Sequence, residues 1–515
     1  MFTGGTLIIN ANKVLLIDGK DNYVEAVGNV TNNGTLTVEN DANFIQRDGT
    51  YTGSNITVKR NANLKRLDYN YWGSPVENQN LKTFSPGTLN SRFYTYNEAD
   101  DFFYWIDPTI NTFQKGKGYA IRARNAAPLT TEEFNGVFLG QPHNGSFNLP
   151  LAYSDGTHGH NLISNPYPSN IDFDALYDLG TNSELIYKTA YFWTNVNPNP
   201  EMQGSQYPKT GSINNYAVYS GTGGLSAPYG FVSSGLNTTI GNEGNCRTCK
   251  VPNNIIKVGQ GFIVKTKQLG SLAFNNTIRS NDGKGKFFNR ITAPKKDRFW
   301  LELKTPLNFV NPILIGYVSG ATDAFELDYD APLMVEGADS FYSILGADKL
   351  AIQGKKYPMD LNDAIPLGAT FYETGTHTIS LVNKDGVFTT GQPIYLHDKL
   401  LNLYTDLQKQ DYVFIADKGE TKDRFEITYT ERTLSANNQA TKHGLRVYKS
   451  GENYVIEADK VFNKVKIFDA SGKLIKELKN NNKYLTIEKR NLAVGVNIFS
   501  IIFADDIVNQ KIISE

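Results

Sequence analysis

The chain has 515 residues, 40% apolar and 20% charged, enough apolar side chain for several packed cores and too little charge for a disordered polyelectrolyte. Its 51 Lys and Arg against 52 Asp and Glu leave no global field to attract nucleic acid or anionic lipid. No run of 18 apolar residues occurs, which excludes a single helix spanning a bilayer.

With 45 Gly, 29 Tyr and 29 Phe, the composition favours short half-buried strands joined by tight turns, an all-β chain. Residues 1–66 repeat brief apolar alternations between Gly and Asn corners, such as Gly5-Thr-Leu-Ile-Ile-Asn and Gly34-Thr-Leu-Thr-Val-Glu. Strand residues alternate faces, so each unit offers a core only a few side chains and must stack on its neighbours. The pattern predicts the end of a parallel β-solenoid, with an antiparallel meander as the rival.

Residues 67–290 read as a β-rich domain of two related halves. Tyr71-Trp-Gly-Ser-Pro-Val, Phe103-Tyr-Trp and Gly116-Lys-Gly-Tyr-Ala-Ile-Arg are answered in order by Leu162-Ile-Ser-Asn-Pro-Tyr-Pro, Tyr191-Phe-Trp and Gly259-Gln-Gly-Phe-Ile-Val-Lys. An insertion near 195–254 lengthens the second half. Neither Gly-x-Gly carries the third glycine of a dinucleotide fingerprint or opens a helix; each is a bend into a strand that sends Tyr119 or Phe262 to a core. Helix is scarce, with Ile171 to Leu179 the best candidate.

Residues 291–434 hold six short alternating runs, among them Arg298-Phe-Trp-Leu-Glu-Leu and Arg424-Phe-Glu-Ile-Thr-Tyr, and predict a β-sandwich-like domain. A polar stretch from Glu431 to Gly444 comes next, with 435–444 as the linker. Residues 445–515 then give a seven-strand rhythm suited to a small Ig-like sandwich.

Three segments of that last block, Val465-Lys-Ile-Phe-Asp-Ala-Ser-Gly-Lys-Leu-Ile, Leu492 to Ile501 and Val508-Asn-Gln-Lys-Ile-Ile, resemble in order the C-terminal sorting domain of type IX secretion cargo from Bacteroidota. The residues that would carry the signal are Val465, Ile467, Phe468, Asp469, Gly472, Lys473, Leu492, Val496, Ile498, Lys511, Ile512 and Ile513. The Tyr-Pro-Asn-Pro-like opening of the commonest version is missing before Leu445, which brings the domain closer to the variant called type C. The resemblance implies three partners: an outer-membrane translocon, its shuttle, and a surface sortase cleaving in or near Arg432–Gly444. It also implies a protein exported across the outer membrane to the cell surface or medium. An excess of Lys and Arg in 445–515 fits a partner with acidic walls, and equally a solvated surface. No basic stretch or apolar core comes after Met1, so an exported reading expects this chain to be part of a longer protein.

Candidate chemistry is sparse. Cys246 and Cys249 form one Cys-x-x-Cys in a polar loop; without a second pair or nearby histidines, a small disulfide or two idle thiols is favoured over metal or redox chemistry. Glu326, Asp328 and Asp330 would share a face if their segment were extended, hard oxygen ligands that suit structural calcium, against the commoner reading of a charged edge strand. His158 and His160 sit in the turn-like Asp155-Gly-Thr-His-Gly-His. Period-two aromatics such as Phe102 to Trp105 read first as core and second as a sugar-stacking platform. Together these features favour a non-enzymatic, adhesin-like exported protein, with a carbohydrate-binding or polysaccharide-degrading protein on the same export route as the alternative.

Overall fold

The computed structural model of the chain describes all residues except 1, 21, 129–131, 196–215, 231–250, 282–294, 335, 431–441, 451–452, 470–471, 505 and 515. Strand accounts for 55% and helix for 7%, which makes the class all-β. The one short helix within the expected Ile171 to Leu179 stretch, Phe173–Tyr177, is capped by the Asp172 side chain. Among the described residues no helix is long and apolar enough to cross a membrane.

Two compact units form: one from Met1–Lys296, Leu307–Ala338 and Leu350–Tyr357, the other from Asp297–Pro306, Asp339–Lys349 and Pro358–Glu515. The division falls inside 291–434 and not at its ends, and 1–66 shares a unit with 67–290.

In the first unit the opening strands stack as three parallel ladders. Phe2–Gly4 pairs Tyr23–Ala26, which pairs Asn43–Gln46; Leu7–Ile9 pairs Val30–Asn32, then Tyr51–Gly53; Val14–Ile17 pairs Thr35–Val38, then Ile56–Leu64. Parallel pairing on three faces makes a β-solenoid and excludes the meander. Ile17, Val38 and Val58 stand in register and are buried. Their core continues without a break into Trp72, Val76, Phe84, Phe93 and Tyr119, which is why no domain boundary separates 1–66 from 67–290.

A parallel stack ends on a row of unpaired backbone groups, which invites aggregation unless it is covered. The last turn of this solenoid is covered on all three sides. Glu132–Gly140 pairs antiparallel with Ile56–Leu64. Gln141 Nε2 donates to Gly53 O at 2.9 Å, and Asn144 Nδ2 to Gly49 O at 3.0 Å. On the third side Phe44 N donates to Pro168 O at 2.8 Å, and Arg279 donates to Phe44 O at 2.6 Å and Gln46 O at 3.1 Å. Arg279 is only 3% exposed, lies 5.0 Å from the Tyr167 ring centroid, and donates also to Ser169, Asn144 and Asn276. Burial lowers its pKa and the Tyr167 hydroxyl opposes that shift; the full set of acceptors is what holds a guanidinium there.

The two halves of 67–290 share one topology. Tyr69–Trp72, Phe93–Asn97, Phe102–Trp105 and Tyr119–Arg122 assemble antiparallel in the order first, fourth, second, third; His160–Ser164, Ile186–Trp193, Tyr216–Tyr219 and Gly261–Thr266 repeat that order. Each half then pairs with the other reciprocally. Trp72 bridges Gln260 while Ile163 bridges Lys117, and Gly73 N donates to Gly259 O as Ser164 N does to Gly116 O. The Gly-x-Gly segments are the hinge of this exchange. Gly116 and Gly259 have φ of 76° and 68°, a region that favours glycine. A Cβ on Gly118 would lie 2.7 Å from Leu162 Cγ, and one on Gly261 2.8 Å from Tyr71 Cβ, so both second glycines permit a close strand crossing. Tyr119 and Phe262 are buried beyond them.

In the second unit, Leu403–Asp406, Tyr395–Asp398, Gly419–Thr428, Ala364–Phe371 and Ser340–Leu345 form one antiparallel run, and Gly375–Lys384 pairs both Lys296–Lys304 and Tyr412–Ala416. Fully buried Asp398 accepts from Arg424 Nη2 and Tyr412 Oη, each at 2.7 Å, and from Leu400 N at 2.9 Å. Residues 445–515 form a sandwich-like domain of five strands among the described residues, where seven were expected, all within one hydrogen-bonded sheet, because the two long strands each take the place of two short ones. Asn453–Asp469 and Leu474–Glu488 each bend between Glu457 and Phe462 or its partner Asn482, so their outer parts join Arg446–Ser450 and their inner parts join Gly495–Phe503 and Ile507–Ser514.

Arg279→Ala leaves the Phe44 and Gln46 carbonyls without these donors. Urea unfolding should show the first unit destabilised by about 3 kcal/mol or more; a change under about 1 kcal/mol would make the contact dispensable.

Candidate functional site

The twelve expected signal residues come together at one end of the C-terminal sandwich. Val465 and Ile467 are fully buried, Ile498 and Ile512 nearly so, and Leu492 packs against the same core. Phe468 lies opposite Ile498, which lies opposite Lys511; Asp469 lies opposite Asn497, which lies opposite Ile512; Val496 faces Ile513. The three segments thus form adjacent rows, the last two as the arms of one hairpin. Phe468, Asp469, Gly472 and Val496 are half-buried, and Lys473 and Lys511 exposed.

The Asp-x-x-Gly-Lys pattern has a local cause. Asp469 N donates to Lys473 O and Gly472 N to Asp469 O, while Asp469 Oδ1 accepts from Lys473 N at 3.0 Å. Gly472 sits at φ 80°, the left-handed position that closes such a turn. Asn497, not singled out in the sequence, is fully buried and clamps the neighbouring turn: its Oδ1 accepts from Ala493 N, and its Nδ2 donates to Ala493 O and Gly495 O. At the bend of the two long strands, Asn463, Lys464, Lys479, Asn480 and Asn481 line a cleft of about 510 Å³.

Glu326, Asp328 and Asp330 do not share a strand face. Their segment is a turn, in which Tyr329 N and Asp330 N both donate to Glu326 O. Each carboxylate turns to a different partner: Glu326 accepts from Thr322 N, Asp328 from Lys188 N, and Asp330 from Glu326 N and Gly354 N. Among the described residues no group of three or more His, Cys, Asp or Glu is placed to hold a metal ion. Burial raises the Asp330 carboxyl to about 6, against the hydrogen bonds from Glu326 and Gly354 that lower it. Cys246 and Cys249 lie outside the described residues.

His158 occupies the predicted turn and lies 2.8 Å from Asp155 Oδ1, whose hydrogen bond raises its pKa. His160 instead opens a strand, and burial lowers its pKa.

The aromatic run Phe102 to Trp105 departs from the core reading. Phe103, on the same face as Trp105, packs against Tyr71 and Tyr96, while Phe102, Tyr104 and Trp105 are 59%, 46% and 55% exposed. The reason is topological: the strand lies at the sheet's edge, where alternation leaves rings without a covering layer. The rings are nevertheless fixed, Tyr104 Oη donating to Asp100 at 2.9 Å and Trp105 Nε1 to Asn90 O at 2.8 Å.

The first unit is therefore a solenoid closed by a paired, duplicated β-domain, and the second combines antiparallel sheets with a terminal sandwich. The chain belongs to the family described as a domain of unknown function, DUF8693, whose model matches residues 2–429 and so ends ahead of the terminal sandwich. No curated protein matches. Among solved structures, HBP35 of Porphyromonas gingivalis is similar at 12% identity over 29% of this chain and 59% of that one, with a TM-score of 0.12. The chain thus spans less than two thirds of that protein, at a TM-score too low to carry an argument on fold or function.

Because the folded-state pKa of Asp330 lies above the unfolded carboxylate value, the native state holds this proton more tightly. That contribution is present below about pH 4 and is lost as pH rises through about 6. Asp330→Asn should flatten the fall in unfolding free energy across this window, by up to about 3 kcal/mol; an unchanged slope would assign it to other groups. Gly472→Ala should cost about 1 kcal/mol from its left-handed backbone, seen as faster amide exchange in the strands flanking the turn, with exchange in the first unit unaltered.

Proposed function

We propose that residues 445–515 are a type IX sorting domain and that the chain belongs to an exported, non-enzymatic surface protein of adhesin type. The observation that carries this reading is the convergence of the three signature segments onto adjacent rows of one sheet end. A recognition element needs its determinants on one surface, and Lys473 and Lys511 stand exposed there beside the half-buried Phe468 and Asp469. The sortase would cut within 431–444, a stretch that reads as a linker from its polar composition. The shuttle and translocon would engage the sandwich, and the Lys- and Asn-lined cleft would favour a partner with acidic walls.

The reading is tested by fusing residues 431–515 behind a periplasmic reporter and expressing it in a bacterium with a working type IX system. The fusion should reach the surface or medium, and mass spectrometry should find a new C-terminus within 432–444. Periplasmic retention equal to that of the reporter alone would contradict the sorting role.

A further inference from the structure

On the face of the first half's sheet that carries Tyr69, Tyr71 and Tyr94, the Arg92 and Arg122 guanidinium groups stand with no ion pair to a described carboxylate. Arg122 stands opposite Tyr69 on the neighbouring strand and Tyr94 stands opposite Trp105; the Tyr69 and Tyr94 rings meet edge to face at 5.9 Å. Arg92 Nη1 donates to Tyr94 Oη at 3.3 Å, and Arg122 Nη2 to Asn125 Oδ1 at 3.1 Å. Arg122 is only 8% exposed, and both the Arg92 Nε and the Arg122 Nε are buried without a hydrogen-bond partner among the described residues.

Neither Arg66, Arg92 nor Arg122 forms an ion pair with a described carboxylate. Burial lowers the Arg122 pKa, and the nearby Arg92 and Arg66 charges lower it further while Tyr69 and Tyr94 oppose them. A buried cation held by neutral groups and pressed by two others is costly unless an anion completes the set. On the same face, two strands across and beyond Tyr94, stands Trp105, 55% exposed, with its indole N–H already spent on Asn90 O, so that what it offers a ligand is its ring face.

We propose that Tyr69, Tyr94 and Trp105, with Arg92 and Arg122, bind an acidic glycan whose carboxylate or sulfate enters between the guanidinium groups while a sugar ring stacks on Trp105. Guanidinium forks match planar or tetrahedral oxyanions, and an electron-rich indole face suits the C–H face of a pyranose. A single-stranded nucleic acid also combines charge with stacking, but it needs cations repeated along a track. Here the cations gather at one place, which suits a single oxyanion group better than a run of phosphates. The inference deepens the adhesin reading by naming a ligand chemistry, and it is tested on the purified chain, so it stands or falls separately from export.

Calorimetric titration should show binding of hexagalacturonate, of a sulfated dextran oligomer, or of both, the two arms separating carboxylate from sulfate recognition. The fully methyl-esterified hexagalacturonate, which keeps the sugar and loses the charge, should bind about tenfold or more weakly than the acid wherever the acid binds. Trp105→Ala and the half-exposed Arg92→Gln should each weaken binding of the acidic probe about tenfold or more with the melting temperature unchanged; Arg122→Gln, at a buried site, is read beside them. No binding of either acid, equal binding of galacturonate and its ester, or full affinity in Trp105→Ala overturns the proposal. So does tighter binding of oligothymidylate through the same residues, which would make the face a nucleic-acid site.

Discussion

Arg279 closes the edge on which the rest of the first unit depends. A solenoid turn cannot end in water without leaving a ladder of donors and acceptors open to another chain, and the strand Asn43–Gln46 meets that need with one side chain brought from well over two hundred residues away. Its donors are shared between the Phe44 and Gln46 carbonyls on one side and Ser169, Asn144 and Asn276 on the other. Arg47 adds a second tie, paired with Glu25 and donating to the Arg279 carbonyl at 2.8 Å. The solenoid is thereby held against the second half of the duplicated domain, while Glu132–Gly140 holds it against the first.

The duplication makes that closure possible. Each half is a small sheet whose fourth strand comes after a Gly-x-Gly bend, and each bend pairs with the first strand of the other half. The glycines that in another setting would suggest a phosphate loop serve here to let two strands cross closely. Their substitution would press a Cβ into Leu162 or into Tyr71, a packing conflict that relaxes only if the halves move apart.

Much of this was legible in the sequence because it is periodic. The solenoid corners, the paired motifs and the Asp-x-x-Gly-Lys turn are local or repeated signals with one physical meaning each. The carboxylates of Glu326, Asp328 and Asp330 misled because alternation implies a common face only in an extended chain, and a turn sends the three apart. Phe102, Tyr104 and Trp105 misled for a related reason: alternation reports that a strand has two faces, not that its sheet continues beyond it. Arg279 carried no signal at all, since a lone arginine after Asn-Thr-Ile reveals nothing about the distant carbonyls it meets. Arg92 and Arg122 are likewise apart in sequence and brought together only by sheet register and the turn beside it.

The closed final turn should make the solenoid and the duplicated domain one cooperative body, and hydrogen–deuterium exchange of the whole chain at stepped urea concentrations decides whether it does. Amides in the strands of 5–64 should lose protection together with those of His160–Ser164, Ile186–Trp193 and Gly261–Thr266. Loss of protection across 5–64 at lower urea, with those three strands still protected, would show two separate bodies and refute the closure.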